Sequence, residues 1–179
     1  MKNSRSKCAY FVAALWLSCV PASEAATRFV AAGGDLQAAL DAAQPGDTVL
    51  LAEGAEFVGN FVLPFKTGDQ PITLRTSAPD TVLPPTGWRV RPSEAGLLAR
   101  LRSATGIAAL RTAAGAHHWI VRYLEFRAND FGNGDIIQIG DGSSAQNSLD
   151  KVPHHITLSH LYVHGDPVTE APFSAIPRF

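Results

Sequence analysis

The chain has 179 residues, with 15 Lys and Arg against 16 Asp and Glu. That balance, with no basic stripe, excludes the footprint of a nucleic-acid binder, which needs cations to replace phosphate counterions. Cys8 and Cys19, the two cysteines, both fall near the start, so a disulfide scaffold is excluded as well.

Residues 1–26 open with MKNSRSK, carrying Lys2, Arg5 and Lys7, and continue into the apolar run AYFVAALWLSCV, Pro21 and small residues up to Ala25 and Ala26. This is the layout of a secretory signal peptide, with cleavage expected after Ala25 or Ala26. Its apolar core falls short of the roughly 20 residues of a transmembrane helix, and no later run reaches that length. A lipoprotein signal ending at Cys19 is disfavoured by Trp16, which stands where a small aliphatic residue is preferred. Cleavage removes three basic residues and Glu24, leaving twelve basic and fifteen acidic residues and no cysteine. The expected product is a secreted or periplasmic protein held together by packing or repeated backbone pairing.

Next comes GGDLQAALDAAQPGD. Gly33 and Gly34 break the chain, Asp35 can accept from the first free amides of a helix, and Pro45 and Gly46 stop it. Leu36, Ala39, Leu40 and Ala43 form a narrow apolar stripe, and a helix this short needs something to lie on. Brief strand candidates follow: TVLLA to Ala52, EFV to Val58, FVL to Leu63 and ITLR after Pro71, separated by Gly, Asn and Pro. The stretch from Pro79 to Leu98 carries Pro79, Pro84, Pro85 and Pro92 and is read as a loop excursion. Short apolar pieces resume with LARLR and IAALRT.

HHWIVRYLEFR, from His117 to Arg127, aligns without a gap on HHITLSHLYVH, from His154 to His164. Trp119, Val121, Leu124 and Phe126 take the inward positions of the first copy, and Ile156, Leu158, Leu161 and Val163 those of the second. Strand side chains alternate with a period of two, so the parity change between Val121 and Leu124 predicts a bend at Arg122 and Tyr123. Ser159 and His160 occupy the matching corner. Two strands joined by a bend and recurring at fixed length suggest one coil of a solenoid. DIIQIG and the polar loop GDGSSAQNSLDKVP lie between the copies.

Four of the six histidines fall within His154–His164. Zinc needs three or four ligands about 2.1 Å from one point. Neighbouring strand residues point to opposite faces, so His154 and His155 are expected to diverge, with His160 at the bend and His164 beyond it. The preferred reading is a ladder of stacked repeat positions; a zinc hydrolase using His154, His160 and His164 is the less favoured alternative.

With the helix DLQAALDAAQPGD feeding VLLAEGAEFVGNFVLP, then ITLR, then the bent pairs, the sequence resembles the N-terminal part of a right-handed parallel β-helix of the pectate-lyase-like kind, from about Thr27 to Pro167. The resemblance implies an all-β solenoid with a short N-terminal capping helix, in which Leu36 and Leu40 face the first rung. It also implies action on or binding of polysaccharide, by lyase or hydrolase chemistry that uses a basic residue and, in some members, calcium. Asp130, Asp135 and Asp141 in RANDFGNGDIIQIGDG are the calcium candidates, although turn formation alone accounts for them. Arg127 and Lys151 are candidate bases, and His164 and Asp166 candidate substrate contacts.

Residues 168–179 contain Pro172 and Pro177 and show no strand alternation. The expected organisation is therefore a signal at 1–26, a cap and first coils at 27–167, and an irregular tail at 168–179 marking truncation or a frame change. On that reading the 179-residue chain is an inactive fragment of a polysaccharide-acting protein. The alternative is a non-catalytic surface or adhesive stalk.

Overall fold

The computed structural model describes residues 24–130, 134–140, 142–144 and 146–165. Residues 1–23, Asp141, Asp166 and residues 168–179 lie outside the described residues. The elements run β1 (Thr27–Val30), α1 (Leu36–Ala42), β2 (Thr48–Leu51), β3 (Glu56–Val58), β4 (Phe61–Leu63), β5 (Ile72–Thr76), β6 (Ala99–Arg102), β7 (Leu110–Thr112), β8 (His117–Arg122), β9 (Leu124–Arg127), β10 (Ile137–Gln138), β11 (His154–Ser159) and β12 (Tyr162–His164). Single 3-10 helices sit at Pro92–Leu97 and Leu149–Lys151.

Every strand pairing is parallel, and the strands form three sheets: β1-β2-β5-β8-β11, β12-β9-β6-β3 and β10-β7-β4. This corrects the expectation of an all-β right-handed parallel β-helix solenoid under a capping helix. The chain is a mixed α/β arrangement of several parallel sheets with few helices. The strands flanking Arg122, β8 and β9, belong to different sheets, as do β11 and β12 around Ser159. Nor is there a uniform repeat. In the five-stranded sheet successive partners are Thr27 and Thr48, Thr48 and Thr73, Thr73 and Ile120, then Ile120 and Thr157, at spacings of 21, 25, 47 and 37 residues. The longest spacing contains the Pro-rich excursion, whose prolines lack the amide that a further ladder position would require.

The bends fall where the parity change placed them. Tyr123 and His160 have φ of 53° and 51°, a left-handed conformation that turns the chain from one sheet into the next. The Tyr123 hydroxyl donates to Pro84 O at 2.9 Å, and its ring packs with Ala78, Leu83 and Leu98 in a small apolar cluster. That cluster seats the excursion on the sheets.

One apolar core lies between the sheets and contains Leu36, Leu40, Val49, Leu51, Phe57, Leu63, Ile72, Leu74, Leu101, Leu110, Trp119, Val121, Leu124 and Phe126. The inward positions read in the first copy are thus all buried. In the second copy Ile156 and Leu161 are half-buried, whereas Leu158 and Val163 are exposed, because β11 and β12 are the last strands of their sheets among the described residues.

Helix α1 begins where Asp35 Oδ1 accepts from Ala38 N at 2.9 Å, and it buries Leu36 and Leu40. Its Gln37 performs a strand's work. The amide Nε2 donates to Val62 O at 3.0 Å while Oε1 accepts from Val62 N at 2.8 Å, which satisfies both backbone groups on the outer edge of β4. Gln37→Ala should cost about 1–2 kcal/mol, measured by chemical denaturation, because it leaves both groups without a partner. Gln37→Glu should cost more than Gln37→Met, since a carboxylate would face the Val62 carbonyl.

Candidate functional site

Arg127, His164 and Asp130 come together on the four-stranded sheet. Leu124 and Phe126 enter the core, so Glu125 between them alternates to the opposite face, where neighbouring side chains bury it. Its Oε2 is 3.2 Å from Arg100 Nε, and its Oε1 is 2.9 Å from His164 Nε2 and 3.9 Å from Arg127 Nε. Glu56 contacts Arg102 at 3.4 Å and Arg127 at 3.5 Å, and Asp130 pairs with Arg102. Burial would pull the Arg102 guanidinium down; hydrogen bonds and charges from Asp130 and Glu56 outweigh it and raise its pKa above the ordinary value.

His164 Nδ1 lies 2.7 Å from Gly165 O, so both ring nitrogens face oxygens that can only accept. The cluster holds three arginines against three carboxylates, with His164 besides, and so ties successive passes together without building a strongly cationic shelf. Sequence reading missed Glu125. Its signal was a lone carboxylate alternating with two core residues in YLEFR.

The other sequence candidates do not join this cluster. Lys151 ends the second 3-10 helix, with its Nζ 3.2 Å from Asn147 Oδ1, and its carbonyl accepts from Gly115 N at 2.8 Å. Asp135 is exposed, just before β10. Calcium asks for six to eight oxygens. Asp130 is engaged by Arg102, and the one convergent group of metal-ligating side chains among the described residues is made of histidines. Asp141, the third calcium candidate, lies outside the described residues.

A second arrangement comes from the Pro-rich excursion. Gly87, Trp88, Arg89 and Val90 face Ser159, His160 and Leu161 of the last bend across an open cleft of about 420 Å3. Trp88 is 60% exposed, and the Arg91 guanidinium lies 5.8 Å from its ring centroid. Behind the wall, His160 packs on Tyr123 with centroids 4.7 Å apart, and the Arg122 guanidinium sits 4.5 Å from the Tyr123 centroid. His160 Nδ1 and Arg122 Nε are buried without hydrogen-bond partners among the described residues. An exposed indole face beside guanidinium groups suits a flat ligand with an apolar face and an acidic edge. The tetrad WRVR, an aromatic and two arginines within a loop, was the available signal.

The expectation that His154 and His155 diverge is corrected. His118 and His155 have φ of 56° and 51°, and a left-handed residue in a strand cancels the alternation, so each pair stays together. The Nδ1 atoms of His117 and His118 are 2.7 Å apart, as are those of His154 and His155. His117 stacks on His154 at 4.9 Å and His118 on His155 at 4.6 Å, with ring planes nearly parallel in both cases. Burial, and then the neighbouring His154, His118 and His155 rings, push the His117 imidazole below the usual histidine range. The zinc trio His154, His160 and His164 is not assembled: His160 lies against Tyr123 and His164 against Glu125.

No family model matches the chain, and the curated proteins give no match. A solved structure of an alginate lyase from Paenibacillus sp. str. FPU-7 is similar, with a TM-score of 0.52 and 23% sequence identity over 77% of this chain and 36% of that one. At that identity the likeness is one of fold. The chain spans about a third of the length of that enzyme. No described helix is long and apolar enough to cross a membrane.

Proposed function

We propose that the protein belongs to the polysaccharide-acting class and that the cleft between residues 87–90 and 159–161 takes a unit of an acidic polysaccharide. The observation that carries this reading is the exposed Trp88 ring flanked by Arg89 and Arg91 and facing His160. The indole would lie against the apolar face of a pyranose, and the guanidinium groups would meet its carboxylate through charge-assisted hydrogen bonds. A fold shared with an enzyme named as an alginate lyase supports the substrate class. We further propose that residues 1–26 direct export, which would bring the cleft to extracellular polymer; an N-terminus at Ala26 or Thr27 on the exported protein would establish it.

The test is retardation of the purified chain in gels containing alginate or polygalacturonate, with release of unsaturated products followed in parallel. Retardation should weaken about tenfold or more in Trp88→Ala, equivalent to about 1.4 kcal/mol, a size typical of an aromatic contact. Retardation without product assigns the chain a binding role. Retardation unchanged by Trp88→Ala, or none on either polymer, overturns the assignment of the cleft.

A further inference from the structure

We propose that His118, His154 and His155 form a binding site for a borderline transition-metal cation of the zinc or copper(II) class, which pins β11 to β8. One ring nitrogen from each of the three lies within 4.8 Å of the other two. Zinc with nitrogen ligands at 2.0–2.1 Å places tetrahedral donors about 3.4 Å apart, so the rings need to close by little more than about 1 Å. His154 and His155 are exposed and His118 is half-exposed, which leaves them room to rotate.

The backbone builds this geometry. His118 and His155 are the left-handed residues of their strands, and each turns its ring back toward its neighbour. Parallel pairing of β11 with β8, His154 opposite His117, then stacks the second pair on the first. In each pair two Nδ1 atoms 2.7 Å apart hold one proton between them when both rings are neutral, so one ring donates and the other offers its lone pair. The donating ring then presents a bare Nε2. Each pair thus keeps one unshared lone pair, and a cation that takes a lone pair from both His154 and His155 replaces the hydrogen bond between them. The convergent group includes no carboxylate, and imidazole alone selects zinc, copper or nickel over calcium or magnesium. With two rings solvent-exposed, water completes the coordination.

The probe is zinc chloride added to the purified, untagged chain, followed by titration calorimetry and by thermal melting. About one equivalent should bind with a micromolar or tighter Kd, and the Tm should rise with zinc concentration because the ion bridges two strands that separate on unfolding. Cobalt(II) at the same site should give the visible absorption of a four-coordinate ion. His118→Gly and His155→Gly keep the left-handed backbone without strain, and each should weaken zinc binding at least about tenfold, whereas His160→Ala and His164→Ala should leave it within about twofold. Absence of saturable binding below millimolar zinc overturns the site. So does binding that survives both glycine variants.

Discussion

Replacing Trp119 by alanine is expected to destabilise the protein by about 3–5 kcal/mol, the range for removing a fully buried aromatic side chain. Trp119 is 0% exposed on β8, with Ile72 of β5 opposite it on one side and Ile156 of β11 on the other. Its indole Nε1 also donates to Pro64 O at 3.1 Å, tying the turn after β4 to the core. Two effects are therefore lost together, the packing of a large ring and the partner of a carbonyl. Trp119→Phe separates them: it keeps most of the apolar surface and gives up the hydrogen bond, at about 1–2 kcal/mol. Leu158→Ala, at the 42% exposed Leu158 of β11, should cost under about 1 kcal/mol although the sequence assigns it an inward position. Urea titrations of the three variants, read as midpoint shifts at constant slope, give this order. Equal losses for Trp119→Ala and Leu158→Ala would mean that the two positions share one environment, contrary to the structure.

That contrast shows what the sequence could and could not convey. Period-two alternation identified Trp119, Val121, Leu124 and Phe126, because each strand buries one face and each inward residue is apolar. The same alternation marked Leu158 and Val163, since it reports which way a side chain points and not whether another strand covers it. The bends were legible through the parity change at Tyr123 and His160, while the assignment of flanking strands to separate sheets was not. A left-handed residue turns the chain without saying how far. The histidines show the limit most sharply. Alternation separates His154 from His155, and a single positive φ at His155 reverses the result. The candidate cleft was hidden for another reason. Trp88 and Ser159 lie far apart in the chain and meet where the Tyr123 hydroxyl and the apolar cluster around Leu83 and Leu98 seat the excursion. Arg127 and His164 were nominated separately; what joins them is Glu125, and its role depends on parallel register across β9 and β12.

Asp47 is the second position where one side chain carries a large share of local stability. It ends the Pro45–Gly46 turn and is 1% exposed, and its carboxylate accepts from Ala26 N at 2.8 Å, Gln44 N at 2.9 Å and Arg28 Nε at 3.0 Å. These bonds clamp the start of β1 to the turn after α1 and to the entry of β2. Burial raises the pKa of such a carboxyl, but the two amides and the Arg28 guanidinium outweigh burial and hold it below the ordinary aspartate value. Arg28 is partly exposed, so water screens its share, and the backbone amides supply most of the effect. Asp47→Asn is expected to cost about 3 kcal/mol at neutral pH, because the amide group turns one acceptor into a donor facing a donor. Arg28→Ala should cost about 1 kcal/mol or less. A depressed folded pKa means that the unfolded chain takes up the proton first as pH falls. The stabilisation is therefore complete above the unfolded value near 3.9 and is lost as pH drops through the folded value. Denaturation midpoints of the wild-type chain and Asp47→Asn should differ by a constant amount from pH 5 to pH 8 and converge below about pH 4. A gap that stays constant to pH 2 would show that the ionised carboxylate is not what the turn depends on.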